Sequence, residues 1–215
     1  MQHFFQQFVD SLQQTSLLEF IAVVFGIASV LFSRKENILV YPVGLVNTVI
    51  YIYLSIKGQL FGEASVNLYY TIMSIYGWWL WSRRDHRQKP VIRITFSRRK
   101  GWIQQLIFFL VFYVLIWASL TLLKNFFDAA TLPVADAFAS AAAFTGMWLM
   151  ARKKVENWYW WIITNIASIP LYYVKGYVFT SVYYIVLLII AFSGLAEWRR
   201  LARRSNEKQE IQYSV

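Results

Sequence analysis

Polar and aromatic side chains recur on one face of a predicted helix at residues 157–174. They stand at offsets of 0, 3, 7, 10 and 14 residues, which is one α-helical stripe: Trp158, Trp161, Asn165, Ser168 and Tyr172. The residues between them, such as Ile162 and Ile166, are apolar. Because an amide in apolar surroundings needs a partner, we expect this face to bind a small ligand by hydrogen bonds and ring stacking.

Three further predicted helices carry similar stripes. The side chains on these faces are Asn47 and Tyr51 in 38–56, Tyr70, Ser74 and Trp78 in 64–81, and Tyr184 in 178–198. We predict that the stripes of all four helices converge on one substrate-binding site, with Asn47 and Asn165 at equal depth. Trp79 and Trp160 fall off the stripes. They are expected in an ordinary interfacial belt, so that Trp160→Leu would be nearly silent.

The chain offers few residues for other kinds of chemistry. It has no cysteine, and it contains no nucleotide-binding loop motif, zinc-ligand spacing or nucleophile triad. No ionisable residue lies in the middle of any long apolar run, whereas ion-coupled transport usually needs one. The sequence therefore predicts no catalysis, no metal and no cofactor, and it favours a passive carrier.

The composition places these stripes inside a membrane. Of the 215 residues 58% are hydrophobic and 19% aromatic, and the mean hydropathy is +0.44. Runs of about 20 apolar residues are long enough to cross a bilayer as helices. We predict seven such helices, at 17–33, 38–56, 64–81, 102–124, 135–151, 157–174 and 178–198.

The basic charge predicts the orientation of these helices. Of the 21 Lys and Arg residues, 18 lie in 34–37, 82–101, 152–156 and 199–215, and three lie on the other side. Cytoplasmic loops carry this excess, so the segment 1–16 is expected outside and the tail 199–215 in the cytoplasm. The net charge of +10 is explained by topology rather than by nucleic-acid binding.

The chain also repeats itself. Arg34-Lys35 recurs as Arg152-Lys153 and Asn47 as Asn165, both 118 residues apart, whereas Gly77 recurs 117 residues later as Gly194. A single predicted helix, 102–124, separates the copies 17–81 and 135–198, which makes the copies parallel in the membrane. We predict an all-α membrane protein of 3+1+3 helices, with its site at the seam between the copies.

The residues of the second copy resemble a known family. Arg152 to Trp158 reads RKKVENW, and Trp161, Asn165, Pro170, Leu171 and Tyr172 follow as W-x3-N-x4-PLY. Ser74 to Trp81, which reads SIYGWWLW, is similar to the matching segment of the first copy. These runs resemble the signature of the PnuC family of vitamin transporters over about residues 17–200.

The resemblance implies properties that the spacing does not show. Members of the PnuC family have a 3+1+3 fold similar to a doubled, full-length SWEET arrangement, and the family implies a homotrimer in the plasma membrane. It also implies uptake of nicotinamide riboside by facilitated diffusion, with trapping by a cytoplasmic kinase. Trp161 and Asn165 match the element that contacts substrate in that family.

Several alternatives remain open at this point. Relatives of the same family carry thiamine or riboflavin, and thiamine also presents a cationic aromatic ring to a Trp/Tyr site. A sugar carrier of the SWEET type and a membrane scaffold that transports nothing are further readings. Polar stripes on several helices argue against the scaffold.

Overall fold

The computed structural model describes residues 16–58, 61–86, 88, 90–122 and 131–213, with side chains as far as 204. Seven α-helices make up most of this described part. They are α1 (Leu17–Arg34), α2 (Val40–Lys57), α3 (Phe61–Ser82), α4 (Arg99–Leu122), α5 (Pro133–Ala151), α6 (Asn157–Val174) and α7 (Val178–Tyr213). The predicted segment 1–16 lies outside the described residues except for Ser16. Its hydroxyl caps α1 by accepting a hydrogen bond from the Glu19 amide at 3.2 Å.

Five of these helices are long and apolar enough to cross a membrane, judged over the described residues: α1, α2, α4, α5 and α7. The other two, α3 and α6, are long enough, but their polar and aromatic stripes lower the hydropathy. An all-α architecture with membrane-spanning helices is therefore confirmed. Crossing by all seven helices stays a prediction.

The helix boundaries recur along the chain at a spacing of 117 residues. The start of α6 follows the start of α2 at this spacing, and the start of α7 follows that of α3 likewise. The turns after α1 and α5 agree, since Glu36 and Lys153 have φ angles of 54° and 51°. The spacing of 118 predicted from Arg34-Lys35 and Asn47 is too long by one, whereas the spacing of 117 predicted from Gly77 agrees. Packing fixes the positions of turns and helix ends. A basic residue can follow a helix end at any of several positions, so pairs of basic residues give the spacing less accurately.

Six of the helices form a closed ring. In the order α1, α2, α3, α5, α6, α7, each helix packs on the next, and α7 packs back on α1. The helix α4 lies outside the ring and packs on α5. The main helix packing between the two halves of the ring is that of α1 with α7 and of α3 with α5.

The helix α5 is the most enclosed because it packs on α3, α4 and α6. Its buried positions include small residues throughout its length, among them Ala137, Ala141, Ala142, Ala143 and Gly146. Small side chains let helix backbones approach closely in a membrane. In contrast, α4 is strongly apolar and largely exposed, as expected of a helix that faces lipid.

We call the end of the ring that carries the loops 35–39, 83–98 and 152–156 the basic end. Two similar hydrogen bonds join the halves there. The Trp81 indole donates to the Ala151 carbonyl at 3.0 Å, and the Trp198 indole donates to the Ser33 carbonyl at 2.9 Å. One bond crosses the α3–α5 contact and the other crosses the α1–α7 contact.

An ion pair also joins the two halves at the basic end. Lys153 Nζ lies 2.6 Å from Glu36 Oε1 and 4.4 Å from the centre of the Trp81 ring. Only 7% of the Lys153 side chain is exposed, so both contacts offset the cost of burying its charge. Nearby, Ser33 Oγ lies 3.2 Å from Met150 Sδ. The basic end is therefore closed.

The extended segment 91–97, here called the strap, crosses the basic end and is bound to the loop 152–156. Thr95 makes two backbone hydrogen bonds of 3.1 Å with that loop. Glu156 is buried and accepts hydrogen bonds of 2.8 Å from both the amide and the hydroxyl of Ser97. The predicted cytoplasmic loop is thus fixed to the second half of the ring.

Lys154 completes the attachment of the strap. Its Nζ donates a hydrogen bond of 2.8 Å to the Thr95 hydroxyl. Partial burial lowers the pKa of Lys154 below its usual value, although the Glu156 carboxylate acts in the opposite direction.

The last helix extends beyond its predicted end at 198. α7 continues to Tyr213, so most of the predicted tail 199–215 is helical. Arg199 contacts the Tyr159 hydroxyl, and Arg200 pairs with Glu197 at 2.5 Å. Residues 199–204 contain good helix formers and no Gly or Pro, which explains why the helix does not stop where the apolar run ends.

Candidate ligand-binding cavity

A cavity of about 960 Å³ lies inside the ring, and all seven helices contribute to its lining. It extends from Glu63 and Asp136, near the end opposite the basic end, to Tyr41 and Trp158 near the basic end. Cavities that bind small molecules usually enclose about 300–1,000 Å³ and combine apolar walls with a few polar groups. This cavity fits that description in size and lining.

Ten of the eleven residues predicted for the site line this cavity. They are Asn47, Tyr51, Tyr70, Ser74, Trp158, Trp161, Asn165, Ser168, Tyr172 and Tyr184. The helical stripes therefore point to one space, and the role of these residues in binding remains a proposal.

Trp78 is the exception, because it lies outside the cavity with 41% of its surface exposed. After Ser74 along α3, Gly77 faces α2 and Trp81 faces α5. Trp78 follows Gly77 directly and points away from both contacts. The stripe thus stops lining the cavity one turn earlier than predicted.

Aromatic rings form much of the cavity wall. The Tyr70 ring lies 6.2 Å from both Trp161 and Phe144, and the Tyr172 and Tyr184 rings stack at 5.2 Å. A Cβ atom on Gly146 would lie 3.2 Å from the Trp161 ring, so this glycine leaves room for the indole. Such faces can stack on a flat ring and attract a cation with about 0.5–2 kcal/mol.

The two asparagines come from α2 and α6, which lie opposite each other in the ring. Asn47 Nδ2 donates a hydrogen bond of 2.7 Å to the Ala22 carbonyl, while Asn165 is buried in the wall. At the observed spacing of 117 residues, Asn47 corresponds to Thr164 and Asn165 corresponds to Thr48. The two asparagines therefore do not occupy equivalent positions of the two halves, and the prediction that Asn165 repeats Asn47 is wrong by one residue.

Two buried rings form the floor of the cavity. Tyr41 is 0% and Trp158 is 1% exposed. Tyr41 packs edge-on against Trp81 at 5.1 Å, and Trp158 packs edge-on against Trp198 at 5.8 Å. These two pairs are equivalent at a spacing of 117 residues, so the same closure occurs twice.

At each of these two closures a glycine leaves room for the packed ring. A Cβ atom on Gly77 would lie 2.4 Å from the Tyr41 ring, and one on Gly194 would lie 2.4 Å from the Trp158 ring. Among the residues that the structure describes, neither the buried Tyr41 hydroxyl nor the buried Trp158 indole nitrogen has a hydrogen-bond partner.

Charged residues occur at the mouth of the cavity, away from the floor. Glu19, Glu63 and Asp136 lie in the first turns of α1, α3 and α5. Lys175 Nζ pairs with Asp136 Oδ1 at 2.6 Å, and Lys175 is the only Lys or Arg among the described lining residues. Phosphate sites use Arg, Lys or free helix N-termini. This mouth therefore suits a neutral or cationic ligand.

Comparison with protein families assigns the chain. Residues 16–200 match the family model described as nicotinamide mononucleotide transporter. The chain belongs to this family. Its match covers all seven described helices except the last part of α7, so the cavity lies wholly within the region that the nicotinamide mononucleotide transporter family shares.

Individual relatives of this family are distant but cover nearly the whole chain. The nicotinamide riboside transporter PnuC of Escherichia coli is 24% identical over 90% of this chain and 89% of its own. PnuC of Neisseria mucosa is 24% identical over 88% and 74%. The riboflavin/roseoflavin transporter RibM of Streptomyces davaonensis is 21% identical over 85% and 84%.

The fold of the family is also known. The crystal structure of the vitamin B3 transporter PnuC matches with a TM-score of 0.72 and 23% identity, over 94% of this chain and 88% of that one. At this identity the match shows a shared fold. The assignment of the chain to the PnuC family from its motifs is confirmed.

The prediction for Trp160 is wrong. This residue is 6% exposed, and its indole donates a hydrogen bond of 3.0 Å to Gln105 Oε1, which is itself fully buried on α4. Trp160 therefore packs between α6 and α4 and does not belong to an interfacial belt. The stripe reasoning missed this because α4 covers the outer face of the ring on this side. Trp79 is 55% exposed, as expected for a belt position.

Sequence reasoning also missed several lining residues. These are Gly26, Tyr69, Phe144, Thr164 and Tyr183, together with the charged residues of the mouth. Tyr183 is adjacent to the predicted Tyr184, and the Tyr69 ring stacks on Phe144 at 3.8 Å. The recurrence of small residues in α1 and α5 was the available signal, because helices without large side chains on one face leave space beside them.

Proposed function

We propose that this protein carries nicotinamide riboside across the plasma membrane by facilitated diffusion. The observation that carries the proposal is the cavity inside the ring, whose wall combines aromatic faces with two asparagines from opposite helices. Nicotinamide riboside offers a flat cationic ring, an amide and ribose hydroxyls, which match those groups. Two relatives are named nicotinamide riboside transporters.

The charge of the cavity favours the riboside over the mononucleotide in the family's description. A phosphate would meet three carboxylates at the mouth and a single lysine that is already paired with Asp136. A cationic riboside would instead be attracted by those carboxylates. Net negative charge at the mouth thus supports a substrate without phosphate.

Another vitamin is the second candidate. The relative RibM is named a riboflavin/roseoflavin transporter, and its similarity covers most of this chain. Thiamine presents a cationic aromatic ring as well, so the aromatic wall also suits thiamine.

The transport cycle follows from the ring. The seven helices span the membrane as 3+1+3 parallel repeats in a SWEET-like arrangement, with the N-terminus outside and the C-terminus in the cytoplasm. The cavity is then closed towards the cytoplasm at Tyr41 and Trp158, and rocking of the two halves opens this floor.

The protein works as a homotrimer without coupling to an ion, and a cytoplasmic kinase traps the substrate by phosphorylation. The Asp, Glu and Lys residues among the described lining residues lie at the mouth, which supports passive transport.

Calorimetry on purified protein tests the proposed substrate. We expect nicotinamide riboside to bind to the wild type, and binding to fall about tenfold or more in Trp161→Ala, because one stacked ring contributes about 1–3 kcal/mol. Trp78→Ala is the matched control, since Trp78 lies outside the cavity, and its binding should equal that of the wild type. Binding of thiamine or riboflavin alone would favour the second candidate, a transporter of another vitamin.

Flux into proteoliposomes tests transport itself. Labelled riboside should equilibrate across the membrane without an ion gradient. Binding without flux would favour a receptor, and the absence of any vitamin binding would favour a sugar carrier or a scaffold.

A further inference from the structure

Gly26 lies where α1 contacts both α2 and α7, and it is buried. A Cβ atom at this position would lie 2.5 Å from the Tyr183 hydroxyl and 2.9 Å from Asn47 Nδ2. Real Cβ atoms do not approach other atoms so closely, so only glycine admits both polar groups at this point. Tyr183 and Asn47 both line the cavity.

The surroundings of Asn47 determine how its amide is oriented. Nδ2 donates to the Ala22 carbonyl at 2.7 Å and also lies against Gly26, so two residues of α1 enclose the nitrogen. The opposite orientation would bring the amide oxygen to 2.7 Å from a carbonyl oxygen, and neither atom could donate a hydrogen. The nitrogen therefore faces α1, and Oδ1 is directed away from α1.

We propose that Gly26 is a positioning residue that holds Asn47 with its Oδ1 towards the cavity, where Asn47 accepts a hydrogen bond from the substrate. Asn47 then selects a ligand that offers a donor at this point, either a hydroxyl or an amide NH2. It disfavours a ligand that presents a carboxylate there. This inference rests on the proposed function. It adds that Asn47 is the acceptor and the substrate the donor in one hydrogen bond.

The test compares ligands that differ by one donor. Nicotinamide riboside, its 2′-deoxy and 3′-deoxy forms and nicotinic acid riboside, in which a carboxylate replaces the amide, are titrated into wild type, Asn47→Leu and Gly26→Ala. One of these analogues lacks the donor that Asn47 accepts from. We expect the wild type to bind that analogue about tenfold more weakly than nicotinamide riboside, because one hydrogen bond is lost. In both variants the ratio of this analogue's dissociation constant to that of nicotinamide riboside should fall to about twofold or less. The same ratios for the other analogues should stay as in the wild type.

Two controls keep the result decisive. Val24→Ala changes an exposed residue on the same helix and should leave every ratio unchanged. If Gly26→Ala does not fold, Asn47→Leu alone decides. Unchanged ratios in Asn47→Leu for every analogue would overturn this inference and leave the proposed function standing. Failure of the wild type to bind any of the ribosides would overturn both.

Discussion

Two adjacent tryptophans of α6 show how residues in one segment serve different purposes. Trp161 lines the cavity and lies over Gly146, whereas Trp160 points to α4 and donates a hydrogen bond to the buried Gln105. Successive helical residues differ by about 100° in direction, so the two indoles face different neighbours. One is proposed to hold the substrate, and the other holds α4 against the ring.

Trp160→Leu should therefore destabilise the protein without removing its ligand site. The substitution leaves Gln105 Oε1 buried without a donor, which costs about 1–3 kcal/mol, in addition to a large packing loss. Thermal unfolding in detergent should show a lower midpoint than in the wild type, with riboside binding retained in the folded fraction. Trp79→Leu, at an exposed position, is the control and should unfold as wild type does. Equal midpoints for the two variants would contradict the packing assigned to Trp160.

Gly194→Ala tests the floor of the cavity. Its Cβ would lie 2.4 Å from the Trp158 ring, and overpacking of this kind costs about 1–3 kcal/mol or more. We expect a lower unfolding midpoint, with partial recovery in the double variant Gly194→Ala/Trp158→Leu because the smaller side chain gives back the space. Additive losses in the double variant would show that the two residues are not in contact.

At the scale of helices and loops, the strap is the least expected element. Its sequence suggested only a basic loop, yet Glu156, buried at the start of α6, holds it through two hydrogen bonds to Ser97. α4 follows the strap directly and packs on α5. The strap and α4 are therefore attached to the second half of the ring and should move with it.

Glu156→Ala should release the strap. Trypsin cuts after Arg93 and Arg98, and we expect cleavage there to accelerate about tenfold when the two hydrogen bonds to Ser97 are lost, because proteolysis follows the population of the open form. Limited proteolysis followed by mass spectrometry would locate the cuts. Glu197→Ala removes an acid from an exposed ion pair and should leave the cleavage rate unchanged. A strap equally resistant in both variants would refute its attachment through Glu156.

The helices and most of the lining could be predicted because a helix in lipid must turn its polar residues inward. The bounds of α6 agree with the predicted 157–174, and the stripe on it points to the cavity as expected. The stripe rule failed at Trp78 and Trp160, where contacts between helices and the position of α4 decide the surroundings. The cavity's small residues, such as Gly26, carry no polar signal and become evident only from their neighbours.

At the scale of the whole molecule, the basic end is closed by contacts between the two halves. Ser33 and Met150 meet there at 3.2 Å, and the chain has no cysteine of its own. Ser33→Cys/Met150→Cys therefore introduces the only two thiols of the protein. Joining them by oxidation or with a short thiol-reactive crosslinker should abolish riboside flux into proteoliposomes, and reduction should restore it.

The same crosslinked protein should still bind the riboside, since the mouth of the cavity lies at the other end. Each single cysteine variant, treated in the same way, should keep its flux. Flux that persists in the crosslinked double variant would show that substrate does not leave through the basic end, and would exclude the rocking proposed here.

The position of α4 has a consequence for how such a protein can be divided. Because α4 lies outside the ring, it takes no part in the main helix packing between the halves, which is that of α1 on α7 and α3 on α5, although its Phe112 ring lies 6.0 Å from Tyr69 of the first half. We expect two separate polypeptides, cut between the strap and α4, to reassemble the same enclosed space. Each half then supplies one part of the cavity wall, and α4 is the covalent tether between the two parts.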